Sequence, residues 1–194
     1  MGLVKTRRSA LAPLLLAVAG STLAAAPPEH LLESARSGQA VPPGYRQVAA
    51  EHSIPPSLFY AVALTESGYR MPAVESPRPW PWTLNIRGEG HYYPSQRAAA
   101  TALSATLSAG ETAVDVGLMQ IHWHYHHAAL GNIRSALDPY HNLRVGAGIL
   151  AECYRQRTDW WSATGCYHAP NNATLAQRYQ ARVQRHWRSL QQDP

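Results

Sequence analysis

Residues 58–64 read Leu-Phe-Tyr-Ala-Val-Ala-Leu and are apolar on nearly every side of a helix. Pro55 and Pro56 precede this stretch, and proline is favoured in the first turn of a helix. A helix without a polar face is normally buried, so the rest of the chain must pack around this segment. Gly68 is suited to end the helix. A carboxylate, Glu66, therefore lies at the exit of a predicted core helix.

Start and stop signals for helices recur along the chain and predict a mainly α fold. Helices are expected at 44–52, from Ser95 to about Gly110, from Asp138-Pro139 to about Arg157, from Asp159 to Cys166 and after Asn172, with a turn leading into a helix at 115–121. One face of the last helix should point inward, with Leu175, Tyr179, Val183 and Trp187. No convincing pattern of alternating strands is present.

The domain organisation follows from composition. Residues 71–94 hold five prolines and several aromatic residues, so a long irregular insertion is expected there. Its aromatic side chains can form either a platform that binds a ligand or a loop that packs on itself. Residues 27–43 form a polar, proline-flanked segment, and one domain is expected at 44–194.

The N-terminus has the three parts of an export signal. The first residues are basic, residues 11–20 are apolar apart from one proline, and residues 24–26 are Ala-Ala-Ala. Residues 1–26 are therefore expected to be a signal peptide that is removed before Pro27, which places the mature protein in the periplasm. The apolar run is too short to cross a bilayer, so no membrane span is expected after cleavage.

The charge balance argues against a nucleic-acid-binding protein. The chain has 17 Lys and Arg against 12 Asp and Glu, but three of the basic residues lie in the predicted signal peptide. The excess that remains is small, and no nucleic-acid partner is expected.

Cysteine and histidine spacing bounds the covalent and metal chemistry. Cys153 and Cys166 are an even pair in a chain predicted to be exported, which favours a disulfide. His122 and His126 have a spacing that can bind zinc, but no acidic or Cys ligand lies at a fitting spacing. Exposed histidines on a helix are the expected alternative, with no metal and no cofactor.

Glu66 is the main catalytic candidate. Burial of a charged carboxylate is costly, so a buried Glu usually has a partner or a function. Desolvation raises the pKa of a carboxyl and suits it to donate a proton near neutral pH. The alternative is a Glu at a helix end that points into solvent.

Three segments, taken in order, resemble the motifs of the lysozyme-like lytic transglycosylases. They are Glu66-Ser67, Asp115-Val116-Gly117-Leu118-Met119-Gln120-Ile121 and Cys166-Tyr167-His168. The likeness is to the specialised enzymes that open the cell wall for conjugation and secretion machines, and it covers roughly 44–168. It implies a fold like that of goose-type lysozyme and the catalytic domain of the soluble lytic transglycosylases. It also implies peptidoglycan glycan strands as substrate and conjugation or secretion components as possible partners.

The resemblance implies a role for each site residue. Glu66 would be the general acid and then the base, and Ser67 would orient groups at the reacting ring. Gly117, Leu118, Met119 and Gln120 would line the sugar cleft, with Met119 beneath the sugar and Gln120 donating to it. Tyr167 would hydrogen-bond the carboxyl of Glu66. His168 stands where the family usually has Asn.

The number of carboxylates separates the possible mechanisms. Glycoside hydrolases usually need two, and the candidates for the second, none supported by a motif, are Glu75, Glu89, Glu111 and Asp115. A single-carboxylate mechanism that closes a 1,6-anhydro ring is therefore favoured. The alternatives are a muramidase that admits water and an inactive glycan-binding module of an envelope machine.

Overall fold

The computed structural model describes residues 41–70 and 77–192. The predicted signal peptide and residues 27–40 lie outside them. The helices are α1 (Pro43–Glu51), α2 (Pro56–Ser67), α3 (Gln96–Ser108), α4 (Trp123–Leu130), α5 (Ile133–Ala136), α6 (Pro139–Arg157), α7 (Trp160–His168) and α8 (Ala173–Gln192). The strands are β1 (Gly68–Tyr69), β2 (Arg78–Pro79), β3 (Thr83–Ile86), β4 (Glu89–Tyr92), β5 (Val114–Val116) and β6 (Ile121–His122).

The core is built around α2, as its composition predicts. Ten of its residues are buried, from Ser57 to Thr65 together with Ser67. Helices α1 and α8 pack against it. The helix ends at Gly68, where a Cβ would lie 2.4 Å from the carbonyl oxygen of Leu64. Only glycine fits this close approach, and it brings Glu66 to the edge of the core.

The fold is mainly α, as predicted, but it also contains paired strands that the sequence did not indicate. Strands β4, β3, β5 and β6 form an antiparallel sheet in that order, and β1 pairs with β2. The whole β3–β4 hairpin and all of β2 fall within residues 71–94, so part of the predicted irregular insertion is regular. The segment 115–121 likewise contains strand residues on both sides of a turn. Strands of two to four residues are too short to show alternation clearly in a sequence.

The helix caps confirm several predicted boundaries. The side chains of Ser95, Asp138 and Asp159 each accept a hydrogen bond from a backbone N–H in the first turn of the helix that follows. Such a cap contributes about 1 kcal/mol to helix stability. The last helix begins immediately after Asn172, as predicted.

The inward face of α8 was predicted with one error. Tyr179 and Val183 are buried and Trp187 packs on the core, but Leu175 is 44% exposed. Leu175 lies in the first turn of α8, whereas Ala176 is the residue that closely approaches Gly165 of α7.

The predicted disulfide is confirmed, because Cys153 of α6 is bonded to Cys166 of α7. A cross-link that closes a loop of this size stabilises a fold by about 3 kcal/mol in chain-entropy models. It also fixes the residue that precedes Tyr167. Within residues 41–70 and 77–192, no helix has the length and apolarity needed to span a membrane.

Candidate active site

Glu66 lies in the last turn of α2, where the core helix meets solvent, and is partly buried. Its Oε1 accepts a hydrogen bond of 2.6 Å from the hydroxyl of Tyr179. Burial raises the pKa of the Glu66 carboxyl to about 7, against the opposing effect of this hydrogen bond. The charge of Asp115 raises the pKa further, and that of Arg182 lowers it. Glu66 is therefore suited to give up and take back a proton near neutral pH.

The tyrosine that holds Glu66 differs from the one predicted. Tyr167 was expected to bond the carboxyl, but its hydroxyl donates to the carbonyl oxygen of Met119 at 2.6 Å. A hydroxyl has one hydrogen to donate, so Tyr167 cannot also donate to Glu66. Tyr167 nevertheless lies close to Glu66. Burial is the main cause that raises the pKa of the Tyr167 hydroxyl, and the charge of Glu66 raises it further. Tyr167 thus fixes the turn beside Glu66, and Tyr179 fixes the carboxyl.

Two neighbours hold the ring of Tyr179. His168 stacks on it with ring centroids 4.4 Å apart and an interplanar angle of 8°. The guanidinium carbon of Arg182 lies 5.9 Å from the centroid of the same ring, and Arg182 also donates to the carbonyl oxygen of Thr65. His168 therefore helps to position Tyr179, which in turn bonds to Glu66.

The turn from Gly117 to Gln120 is tied directly to the end of α2. The hydroxyl of Ser67 donates to the carbonyl oxygen of Leu118 at 2.7 Å. Ser67 is fully buried, so in this structure it positions the turn. The prediction that it orients groups at the reacting sugar ring does not fit this burial. Met119 is also fully buried. Its side chain packs closely against Gly146 of α6 and presents no surface to a sugar.

Asn142 of α6 anchors the same turn. Its Oδ1 accepts from the backbone N–H of Met119 at 2.9 Å, and its Nδ2 donates to the carbonyl oxygens of Val116 at 2.9 Å and Ala136 at 3.1 Å. Gly117 has φ +80°, and a Cβ there would lie 2.5 Å from Asn142. Glycine at this position is thus required by both backbone conformation and space.

Gln120 joins the turn to strand β3. Its Nε2 donates to the carbonyl oxygens of Gly117 at 2.8 Å and Thr83 at 3.2 Å. Both amide hydrogens are used in these bonds, so the predicted donation to the substrate is not available in this arrangement. The side chain is partly exposed, and its Oε1 is the atom that remains for a ligand, as an acceptor.

The four candidates for a second carboxylate occupy different places. Glu89 is exposed on β4, and Glu111 is paired with Arg87. Glu75 lies outside the described residues. Asp115 is half-buried on β5, and its charge acts on Glu66. Asp115 is therefore the described candidate that shares the site.

The sequence interpretation missed Tyr179 and Asn142 as site residues. Tyr179 had been placed on the inward face of α8, but nothing in the sequence links it to Glu66, 113 residues earlier. Asn142 follows the Asp138-Pro139 start by one helical turn, and its burial was the missing signal. His122 lies on β6 and His126 on α4. In the part of the chain that the structure describes, no three His, Cys, Asp or Glu side chains are grouped to hold a metal ion.

The fold and the site together define a mainly helical, lysozyme-like domain with an acidic carboxyl at the end of its core helix. The family model described as Transglycosylase SLT domain matches residues 45–189. The chain therefore belongs to this family, which implies lytic transglycosylase activity on peptidoglycan. No curated protein and no solved structure matches the chain.

Proposed function

We propose that this protein cleaves the β-1,4 bond between N-acetylmuramic acid and N-acetylglucosamine in peptidoglycan without water, as a lyase that leaves a 1,6-anhydro end. The observation that carries the proposal is the partly buried Glu66 carboxyl, held by Tyr179 with its pKa raised to about 7. The family supplies the substrate class.

In the first step Glu66 is the acid. Its carboxyl proton moves to the glycosidic oxygen, the bond from that oxygen to C1 of the muramic ring breaks, and the bonding electrons leave with the oxygen. A pKa of about 7 keeps a useful fraction of Glu66 protonated at neutral pH. The hydrogen bond from Tyr179 fixes the rotamer of the carboxyl and stabilises the carboxylate that the step creates.

In the second step the same carboxylate is the base. The C6 hydroxyl of the muramic ring attacks C1, and its proton passes to Glu66, which restores the starting state. The hydroxyl is already tethered to the reacting ring, so its attack is favoured over recruitment of a free water. One carboxylate therefore suffices for both proton transfers.

A second candidate function is hydrolysis by the same site, as in a muramidase. The position of Asp115 favours it, because hydrolases of this kind use a second carboxylate to activate water or to stabilise the cation. The products separate the two reactions. Hydrolysis leaves reducing muramic ends that borohydride reduces, whereas the proposed reaction leaves anhydro ends that are lighter by one water.

We also propose export to the periplasm, supported by the signal-like residues 1–26. A role in local wall opening for a conjugation or secretion machine is proposed on the resemblance of the three motif segments. N-terminal sequencing of protein recovered from the periplasm should begin at or within a residue or two of Pro27. Retention of the intact chain in the cytoplasm would contradict export.

The central test compares Glu66→Gln with wild type on purified peptidoglycan, with products identified by mass spectrometry. Gln keeps the shape but cannot transfer the proton, so release of anhydro-ended fragments should fall by roughly 10²–10⁴-fold. Glu89→Gln removes one carboxylate from an exposed strand and should retain wild-type release. A folded Glu66→Gln protein that clears peptidoglycan normally would place the acid elsewhere. Reducing ends in the wild-type digest would make the enzyme a hydrolase.

A further inference from the structure

Three polar side chains form one row across the sheet. Asn85 of β3 is directly opposite Asp115 of β5, and Asp115 is directly opposite His122 of β6. Residues in register on neighbouring strands point to the same face of a sheet, so the three side chains lie side by side. We call them the sheet row.

On strands β3, β5 and β6, the other face of the sheet is apolar and belongs to the core. The residues next to the sheet row along the strands, Leu84, Val114, Val116 and Ile121, are buried. Because successive residues of a strand alternate between faces, the sheet row points away from this core. Polar side chains in the row are therefore not explained by packing of the sheet.

The face that carries the sheet row is turned toward the end of α2. Tyr92 lies opposite Thr83 on this same face, two residues along each strand from the row. The Tyr92 ring contacts the ring of Tyr69 at 4.6 Å between centroids, and Tyr69 follows Glu66 by three residues. The charge of Asp115 raises the pKa of Glu66, which also requires this face to be near the end of α2.

The sheet row is short of hydrogen-bond partners. Among the described residues, Oδ1 of Asn85 and Nδ1 of His122 are buried without a partner. A buried polar atom without a partner costs a protein roughly 1–3 kcal/mol. Natural folds keep few such atoms, and a ligand that supplies the missing bonds is one reason to keep them.

We propose that the sheet row is the wall of the active site opposite Glu66, that Asp115 faces C1 of the reacting muramic ring, and that Asn85 and His122 bind polar groups of the same glycan. Asp115 is thus assigned as a second catalytic residue. This assignment rests on the proposed function, because it names a role at the same site.

Asp115 acts by charge and forms no bond. When the glycosidic bond breaks, C1 and the ring oxygen share a positive charge until the C6 hydroxyl attacks. A carboxylate close to that charge stabilises the transition state more than the neutral ground state, which is the condition for catalysis. Burial raises the pKa of the Asp115 carboxyl, and the charge of His122 lowers it in part. Before reaction, the charge of Asp115 also favours the protonated form of Glu66 that the first step needs.

There is room for a glycan beside the sheet row. Gly90 of β4 continues the row, since it lies directly opposite Asn85. A Cβ at Gly90 would meet no atom within 4 Å, and Gly90 is exposed. A side chain placed there would occupy the space next to Asn85 without disturbing the protein.

The test compares Asp115→Asn with Glu89→Gln in the full mature protein. Each variant loses one carboxylate from the same sheet, but Glu89 lies opposite Ile86 and hence on the other face. Release of cleaved fragments from soluble glycan strands should fall about 100-fold in kcat for Asp115→Asn, with KM nearly unchanged. Glu89→Gln should match wild type in both constants.

The pH profile gives a readout that a loss of folding would not produce. Without the charge of Asp115, the pKa of Glu66 falls, so the loss of activity at high pH should begin at lower pH in Asp115→Asn. The other groups that act on these two carboxyls are Tyr179, Arg182 and His122, and all remain in the variant. An unmoved profile together with wild-type kcat in a folded variant would overturn the assignment.

Two further variants keep the inference testable if Asp115→Asn does not fold. Asn85→Ala and Gly90→Leu change the row without touching Asp115, and each should raise KM several-fold or more while melting near the wild-type temperature. Wild-type KM in both would show that the sheet row does not face substrate.

The products separate this inference from the proposed function. A wild-type protein that releases no fragment from peptidoglycan refutes the proposed function. An active wild type with Asp115→Asn unchanged refutes only the role of Asp115. If wild type makes reducing ends that disappear in Asp115→Asn while anhydro ends persist, Asp115 is a base for water, which also overturns the electrostatic role.

Discussion

The two sides of the active site differ in how their polar groups are satisfied. On the helical side, the carboxyl of Glu66, the hydroxyl of Tyr179 and the hydroxyl of Tyr167 are each hydrogen-bonded within the protein. On the sheet side, Asn85 and His122 each have a buried polar atom without a partner among the described residues. The polar groups named on the helical side thus have their hydrogen bonds within the protein, whereas two on the sheet side do not.

The difference indicates a division of labour. A proton donor must be held in one rotamer at one distance, and the contacts of Glu66 with Tyr179 supply that. Groups that bind a substrate keep their bonding capacity until the substrate arrives, so they are unsatisfied in the free protein. The helical side therefore prepares the acid, and the sheet side is the part proposed to bind the glycan.

The two sides are joined by several polar side chains, of which the buried amide of Asn142 makes the most hydrogen bonds. Asn142 of α6 bonds to Val116 of β5, to Met119 in the turn and to Ala136 at the end of α5. Its position links the sheet to the helices at the point where the turn passes Glu66. Asn142 therefore helps to keep the two sides of the site at a fixed distance, together with Ser67 and Gln120.

Breaking that link should have the largest effect on stability. Asn142→Leu keeps a similar volume but removes three buried hydrogen bonds, including the one that satisfies the backbone N–H of Met119. A buried polar group left without a partner costs roughly 1–3 kcal/mol. We expect a loss of about 3 kcal/mol or more in the free energy of unfolding, measured by urea denaturation. Activity should also fall in the fraction that remains folded, because the turn loses its position.

Asn132→Ala is the matched control for this prediction. Asn132 caps the short helix α5 through a hydrogen bond to the N–H of Ser135, and it is exposed. Loss of such a cap costs about 1 kcal/mol. Equal destabilisation by the two substitutions would show that Asn142 acts as an ordinary surface asparagine and joins nothing.

The second prediction concerns how the raised pKa of Glu66 makes the stability of the folded protein depend on pH. The pKa of Glu66 is raised from 4.5 to about 7 in the folded protein, so the folded state favours the neutral carboxyl. The stability that this gives is fully present below about pH 4.5 and is lost as the pH rises through about 7. The difference between these pKa values corresponds to at most roughly 3 kcal/mol.

Glu66→Gln cannot ionise and should escape this loss. The unfolding free energy of the variant, relative to wild type, should therefore increase from pH 4 to pH 8 by up to roughly 3 kcal/mol. Urea titrations of both proteins at several pH values measure it, and the histidines cancel because both proteins contain them. Parallel pH curves would mean that Glu66 is not desolvated, and the contrast between the two sides would lose its basis.

The helical side was the easier part to predict from sequence because its signals are local. A cap such as Ser95 or Asp138 acts on a backbone N–H within the next turn. Likewise, the composition of an apolar stretch such as that of α2 is enough to predict that it is buried. These patterns need no knowledge of where the chain goes next, so the helix boundaries and the place of Glu66 followed from them.

The sheet side and the partner of Glu66 depend on the tertiary fold. The sheet row exists only because short strands pair in one register, and none is long enough to show its alternation. Choosing between Tyr167 and Tyr179 required knowing how α8 returns across α2. The motif order indicated Tyr167, which is close to Glu66 but donates its single hydroxyl hydrogen to the carbonyl oxygen of Met119.

The last prediction separates these two tyrosines. Tyr179→Phe keeps the ring that stacks on His168 but removes the hydroxyl bonded to Glu66. Because that hydrogen bond lowers the pKa of Glu66, its loss should raise the pKa. The fall of activity at high pH should then begin at higher pH, the opposite of the shift expected for Asp115→Asn. We also expect a rate about tenfold lower below pH 7, since the carboxyl is no longer fixed.

Tyr167→Phe is the matched change on the neighbouring tyrosine. It removes the bond to the carbonyl oxygen of Met119 and should lower the free energy of unfolding by about 1 kcal/mol. Its pH profile should keep the wild-type position, because the hydroxyl of Tyr167 gives Glu66 no hydrogen bond. Rate measurements across pH for both variants, with melting curves, complete the test. If Tyr167→Phe moves the profile and Tyr179→Phe does not, the acid is held by the residue that the motif order indicated, and the helical side must be reassigned.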